Sequence, residues 1–340
     1  MKVLRFILFP FAILYDFVTR IRNFFFNIGI FHQTSFKTPV IVVGNLSVGG
    51  TGKTPQIEYL IRLLKNNFKT AVLSRGYKRE TKGFVLLNEN HLAIDVGDEP
   101  LQYFQKFKNI DVAVCANRVK GITNLIKSNT PEVILLDDAF QHRKVKGSFY
   151  ILLTKFDELF MDDFLLPMGR LRESRAGAKR ADVILVTKCP DDLTKESQKL
   201  IKQKLLKFNK EVFFTSISYA ESVLGATEML TSELKNFEVL LITGIANPAP
   251  LLNYLKSLNV KFQHLKYADH HYFSNKEIEE VKSKFDTMQS SKIILTTEKD
   301  YVRLVNKIKN LSYLPIETSF LNNDSEVFNR LINTHLKENI

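Results

Sequence analysis

The run Ser47-Val48-Gly49-Gly50-Thr51-Gly52-Lys53-Thr54 follows an apolar stretch, Pro39-Val40-Ile41-Val42-Val43, and leads into a helical pattern from Pro55 to Asn67. A glycine-rich turn between a strand and a helix is the setting of a phosphate-binding loop. Its backbone N–H groups can wrap a polyphosphate, and the helix N-terminus adds the positive end of its dipole. In such a loop Lys53 reaches the β- and γ-phosphates, and the Thr54 hydroxyl ligates Mg2+. Ser47 stands where the usual pattern begins with glycine, so the start of the loop is expected to be shaped differently. Residues 47–54 are therefore expected to hold a nucleoside triphosphate.

A second acidic element supports this. Val133-Ile134-Leu135-Leu136-Asp137-Asp138 reads as a buried strand ending in two carboxylates, the group that holds Mg2+ beside a phosphate loop. The next residues, Ala139-Phe140-Gln141-His142-Arg143, add polar groups near the same spot, His142 being equally readable as structural. In Gly97-Asp98-Glu99-Pro100 a carboxylate precedes a helix. Asp98 could take a proton as a general base or cap the helix, and spacing alone favours the cap. Asp269-His270-His271 precedes a helix near Ser274. It reads as a metal site, as an Asp–His pair tuning proton transfer, or as a plain helix-leading loop, and adjacent histidines seldom ligate one ion. Basic residues fall after strand-like runs: Arg75-Gly76-Tyr77-Lys78-Arg79, Arg118, and Arg170-Leu171-Arg172. At one rim of a sheet they would suit a doubly charged substrate. Thr187-Lys188-Cys189-Pro190 stands where a GTPase reads guanine, but Pro190 replaces the base-reading aspartate, so guanine specificity is not expected.

These groups need a frame. Strand-like runs near 39–43, 70–74, 111–115, 132–136, 149–153, 182–187, 211–215, 238–243, 292–296 and 312–316 alternate with helical patterns. That alternation predicts an α/β fold, a P-loop NTPase-like, mostly parallel sheet with helices on both faces. Ligands of such sheets bind beyond the carboxyl ends of the strands. The expected division is an N-terminal helix over 1–30 and a nucleotide-binding domain over 31–215. A linker or two-stranded excursion over 216–237 and a smaller C-terminal α/β unit over 238–340 follow.

The net charge of +12 points to acidic partners, although lysines on solvated helices account for much of it. Cys115 and Cys189 lie in apolar runs with neither metal nor disulfide spacing. From Met1 to Phe31 the chain is rich in Phe, Ile, Leu and Val, but interruptions at Arg5, Pro10, Asp16, Arg20 and Arg22 leave no comfortable membrane span. At helical spacing Lys2, Arg5, Asp16, Thr19, Arg20, Asn23 and Asn27 form one narrow polar stripe. This predicts a helix lying in a membrane interface with its basic side chains at the headgroups, or one docked on the protein itself.

Taken together, Gly44-Asn45 through Pro55, Ser74-Arg75-Gly76-Tyr77, Gly97-Asp98-Glu99-Pro100 and Asp137-Asp138-Ala139-Phe140-Gln141-His142 resemble the tetraacyldisaccharide 4'-kinases. So do Pro167-Met168-Gly169-Arg170-Leu171-Arg172-Glu173, Gly244-Ile245-Ala246-Asn247-Pro248, Asp269-His270-His271 and Thr297-Glu298-Lys299-Asp300. Ala139, where the family has glycine, is a small departure. The resemblance implies transfer of the ATP γ-phosphate to the 4'-hydroxyl of a tetraacyldisaccharide 1-phosphate at the cytoplasmic face of the bacterial inner membrane. It implies Asp98 as base assisted by His270, Lys53 at the phosphates, and Thr54, Asp137 and Asp138 around Mg2+. Asn45, Arg75, Tyr77, Arg118, Gln141 and Arg170 become candidates for the acceptor. An anionic membrane surface is the expected partner of the N-terminal helix, and no nucleic acid is expected. The oligomeric state stays open, a monomer being the default. A membrane-recruited nucleotide switch and a nucleic-acid-binding ATPase remain rivals, but neither accounts for Asp98 and His270.

Overall fold

Unbroken burial, rather than alternation, marks the strands at the centre of the protein. β1 (Val40–Asn45), β2 (Thr70–Ser74) and β5 (Val133–Asp137) are buried at every position. This is how parallel strands covered on both faces read. The computed structural model describes residues 7–288 and 291–340. Around these three strands lie β3 (Val85–Leu86), β4 (Asp111–Val114), β6 (Phe149–Lys155), β7 (Val183–Thr187) and β8 (Glu211–Tyr219). With β15 (Ile316–Phe320) they form a nine-stranded sheet in the order β15-β8-β7-β6-β1-β5-β2-β4-β3. It is parallel except at its margins, where β15 pairs antiparallel with β8 and β3 with β4.

Crossover helices cover the sheet. α2 (Lys53–Leu64) follows β1, and α3 (Ala93–Val96) leads into α4 (Asp98–Lys106) before β4. α5 (Arg118–Asn129) joins β4 to β5, and α6 (Lys195–Leu205) joins β7 to β8. α2 lays Ile57, Leu60, Ile61 and Leu64, all fully buried, against Ile41, Val43, Val133 and Leu135 of the strands. Gly52 caps α2 in the left-handed region (φ 81°, ψ 27°), a conformation that side chains with a Cβ avoid.

Residues 216–237 hold the end of β8 and an antiparallel pair, β9 (Ser222–Gly225) and β10 (Met229–Leu230). The pair opens a second sheet of order β10-β9-β14-β13-β11-β12. Its other strands are β11 (Glu238–Thr243), β12 (Lys261–Lys266), β13 (Lys292–Thr297) and β14 (Leu311–Leu314), parallel to one another. α7 (Ala249–Ser257), α8 (Asn275–Thr287) and α9 (Glu298–Leu304) connect them. The smaller unit expected to run from 238 to the C-terminus stops earlier. After Leu314 the chain returns to the first sheet through β15 and α10 (Ser325–Asn339), whose Phe328, Ile332 and Leu336 are fully buried in the first core. Short polar stretches such as Ile316-Glu317-Thr318-Ser319-Phe320 hide this return, because an edge strand shows little apolar run.

The N-terminal helix α1 (Phe9–Asn27) buries only Ala12 and Phe26. Phe9, Phe11, Ile13, Leu14, Phe17, Val18, Ile21 and Phe24 are exposed. Its polar stripe turns towards the protein: Asn23 donates to Glu173 at 2.9 Å, and Arg143 donates to Asn27 Oδ1 at 2.8 Å and to the Asn23 carbonyl at 2.9 Å. Arg22 donates to the Gln141 carbonyl at 2.9 Å, and the Tyr15 hydroxyl to that of Arg172 at 2.8 Å. Asp16 and Arg20 form an ion pair along the helix. Asn23 and Asn27 are therefore a docking seam, in line with the alternative of a helix docked on the protein itself. Lys2 and Arg5 lie outside the described residues. Among the described residues no helix is long and apolar enough to cross a membrane.

Candidate active site

The carboxyl ends of β1, β5 and β2, three neighbouring strands, carry the phosphate loop, Asp137 and Ser74. Two buried braces shape the loop. Asn45 Nδ2 donates to Thr51 Oγ1 at 2.8 Å, and Thr187 Oγ1 donates to the Thr51 carbonyl at 2.8 Å. The Val48 amide donates to the Arg170 carbonyl at 2.8 Å, and Ser47 bridges to Leu171, so the unusual first residue is tied to the 167–173 segment. Lys53 is the first residue of α2, and its Nζ lies 3.8 Å from Asp138 Oδ1.

Asp137 and Asp138 have opposite electrostatics. Asp137 is buried, receives Ser74 Oγ at 3.3 Å and lies 3.5 Å from the Tyr103 hydroxyl, which also bonds Thr54. Burial, then repulsion from Asp138, pushes Asp137 up to about 6, more than Lys53 and Arg118 offset. Asp138 sits at a positive φ of 47° and receives Arg172 Nη2 at 2.9 Å. Burial would raise its pKa too, but Lys53 and Arg172 bring it below the ordinary value. Thr54, Asp137 and Asp138 are hard oxygen donors, the set Mg2+ takes together with phosphate oxygens and water. Among the described residues no three His, Cys, Asp or Glu side chains could hold an ion by themselves.

Asp98 opens α4 behind Gly97, whose φ of 95° and lack of a Cβ near the Tyr77 carbonyl direct the chain into the helix. The Asp98 side chain makes no cap. It lies 2.9 Å from His270 Nδ1, which comes from the loop between β12 and α8 in the other unit. Arg303 of α9 grips both Asp98 oxygens, Nε to Oδ1 at 2.8 Å and Nη2 to Oδ2. Burial pushes the Asp98 pKa up, but the hydrogen bonds and charges of Arg303 and His270 prevail and hold it well below the usual carboxylate range. His271 faces away, 2.9 Å from Glu277, whose carboxylate closes the capping box of α8. The Tyr77 ring stands edge-on to His270 at 6.0 Å.

A profile of the family described as tetraacyldisaccharide-1-P 4'-kinase matches residues 4–337. The chain is 53% identical over 345 residues to the tetraacyldisaccharide 4'-kinase of Flavobacterium johnsoniae, covering 100% of this chain and 99% of that one. To the enzyme of that name from Bacteroides thetaiotaomicron it is 44% identical over 354 residues, covering 98% and 93%. A crystal structure of LpxK from Aquifex aeolicus in complex with ATP matches with a TM-score of 0.79 and 30% identity, covering 98% of this chain and 99% of that one.

The chain belongs to the tetraacyldisaccharide-1-P 4'-kinase family. It is an ATP-dependent kinase of lipid A biosynthesis, and its α/β fold is that of the family.

Several residues anticipated around the kinase's acceptor serve as braces. Asn45 is fully buried, and its backbone carbonyl receives both Gln141 Nε2 and Arg172 Nη2. Gln141 also donates to Glu173 at 2.9 Å. Arg118 is buried, ties the Cys115 carbonyl at 2.8 Å to that of Asp137 at 3.3 Å, and is lowered to about 10 by burial. Arg170 pairs with Glu158 and Asp163, away from Asp138. Arg75 and Tyr77 remain exposed on the rim after β2. His142, with a buried and unpartnered Nε2, is lowered to about 4 by burial and neighbouring cations. Sequence reading gave no role to Tyr103 or Arg303, and placed Arg172 at a substrate rim, whereas it pairs with Asp138. Arg172 was visible as the second arginine of a basic triplet, whereas nothing local marks Arg303.

Proposed function

We propose that this kinase transfers the γ-phosphoryl group of ATP to the 4'-hydroxyl of a tetraacyldisaccharide 1-phosphate, with Asp98 receiving the hydroxyl proton. The observation that carries the reading is the Asp98–His270 contact, which spans the two units next to the phosphate loop. Tyr103, on the helix that Asp98 opens, lies 3.5 Å from Asp137 and bonds Thr54, so one helix links the carboxylate to the loop. Residues 47–54 wrap the phosphates, and Lys53 offsets charge on the γ-phosphate. Thr54, Asp137 and Asp138 fit Mg2+, which when bound adds positive charge against the phosphate oxygens. The hydroxyl oxygen attacks the γ-phosphorus as the bond to the β–γ bridging oxygen breaks, releasing ADP. Its proton passes to Asp98. A weakly basic carboxylate suits this step, because in a loose transition state the nucleophile has little need to be ionised early, and orientation carries the gain.

The acceptor is acylated, and α1 gives the protein a way to meet it. A soluble amphipathic helix docks its apolar side, yet α1 docks through polar groups and turns its aromatic and aliphatic side outward. Such a helix suits the interfacial layer of an anionic bilayer, and the kinase then works at the cytoplasmic face of the inner membrane. Arg75 and Tyr77, exposed between loop and dyad, are the groups for the sugar 1-phosphate. Incubation with radiolabelled ATP and tetraacyldisaccharide 1-phosphate tests the reading. Asp98→Asn is expected to lower kcat by about 10²–10⁴ with ATP affinity retained. Loss of ATP binding in that variant would instead make Asp98 a structural residue.

A further inference from the structure

Two stretches of the second unit lie outside the phosphate chemistry, Gly244–Pro248 and the 297–303 segment, yet both converge on the dyad. Asp300, fully buried, accepts from the Gly244 amide at 2.8 Å and from Thr297 Oγ1 at 2.7 Å, fixing α9 to the end of β11. Its Oδ1 lies 3.5 Å from Arg303 Nη1 on the next turn. Arg303 reaches on to both oxygens of Asp98. On the same helix Lys299 Nζ sits 2.9 Å from His270 Nε2 and 3.1 Å from Asp269 Oδ1. His270 is itself held at a positive φ of 59°, its amide donating to the Gly244 carbonyl at 3.2 Å.

We propose that Lys299 and Arg303 are positioning residues that hold the Asp98–His270 pair in one orientation, so that proton acceptance depends on the docking of the second unit. The inference rests on Asp98 as the proton acceptor. Lys299 reaches the His270 ring at Nε2, while Nδ1 is met by Asp98 Oδ2 at 2.9 Å and by Arg303 Nη2 at 2.8 Å, so the ring is held from both sides. The Arg303 fork is planar and matches a carboxylate through two parallel bonds, which fixes the plane of Asp98 as well as its charge. The charged groups that face the pair among the described residues include Arg303 and Lys299 from α9, Asp300 behind Arg303, Asp269 beside His270, and Glu99 on the helix of Asp98 itself.

The test compares pH profiles of kcat/KM for Arg303→Met and Arg303→Lys, with ATP affinity measured in parallel. With Mg2+ and ATP saturating, so that Asp137 is held ionised, the native enzyme is expected to stay flat on the acid side down to about pH 5. Without the guanidinium, burial dominates Asp98, so Arg303→Met acquires an acid limb between about pH 5 and 7 and loses about a hundredfold in kcat. Arg303→Lys recovers part of both. An Arg303→Met enzyme that binds ATP and keeps a flat acid side overturns the inference. A second measurement does not depend on that variant folding. Nitrogen-15 spectra of the His270 ring are expected to change in Lys299→Met, which loses the donor at Nε2; an unchanged ring spectrum in that variant overturns the role of Lys299. Asp98→Asn separates the two levels. If it keeps full activity, the proton-acceptor reading fails; if it is inactive while Arg303→Met keeps its flat profile, only the positioning role fails.

Discussion

Asp137 and Asp138 are adjacent in sequence and separated in role by one backbone angle. Asp137 ends a buried strand and faces inward, so its charge is left poorly compensated; Asp138, at positive φ, turns out to meet Arg172 and Lys53. A fully buried carboxylate without adequate compensation costs folding free energy and is kept for what it binds. Asp137→Asn is therefore expected to abolish most of the kinase activity, while the melting temperature of the nucleotide-free protein at pH 8 holds or rises. A clear fall in melting temperature would show that Asp137 supports the fold. The same logic distinguishes the two histidines. His270 is presented to Asp98 across the cleft, whereas His271 is absorbed by the cap of its own helix.

At the scale of elements, α1 and α9 do the unexpected work. α1 is amphipathic in reverse, with its amides and Arg22 on the 141–143 and 172–173 segments and Phe9, Phe11, Phe17 and Phe24 exposed. Those segments also brace Asn45 and the phosphate loop, so α1 and the loop share a floor. Replacing Phe11, Phe17 and Val18 with Gln is expected to remove on the order of 3 kcal/mol of interfacial burial, about a hundredfold in partitioning to anionic liposomes. Turnover of a short-chain, water-soluble acceptor is expected to change little. Equal liposome binding by this variant would count against the interfacial role of α1. α9 is only seven residues long, and its start and end serve different ends: Glu298 points to the first unit's core, and Arg303 to its dyad.

For the whole molecule, the joint between the two units is ionic and buried. Lys106 of α4 sits 2.6 Å from Glu58 of α2 and 2.7 Å from Glu298 of α9, all three shielded from water. Burial, then repulsion from Glu58, raises Glu298 to about 7, beyond what Lys106 offsets. A carboxyl raised in the folded state contributes stability that is complete at low pH and lost as pH rises through about 7. Glu298→Gln is thus expected to flatten the fall in melting temperature between pH 5.5 and pH 8, leaving the pH 5.5 value nearly unchanged. A slope identical to that of the native protein would remove Glu298 from the balance.

The order of strands and helices was legible because parallel strands and their crossover helices write their burial into consecutive residues, as in Val133-Ile134-Leu135-Leu136. The phosphate loop was legible for a similar reason: its chemistry is local, needing glycines for backbone approach and Lys53 and Thr54 at fixed spacing. Strands that lie at a sheet margin, Lys261–Lys266 and Ile316–Phe320, were not, since half-buried edges lack that pattern. Spacing favoured a helix cap for Asp98, which its side chain does not make, and it could not choose between lipid and protein for Asn23 and Asn27. Those choices belong to tertiary structure. Arg303 lies 205 residues from Asp98, and only the docking of one unit on the other brings its fork to that carboxylate. The sequence by itself determined the glycine-rich loop and the family, because both reside in contiguous motifs; the folded molecule alone decided which charged groups meet, because charges pair by distance in space.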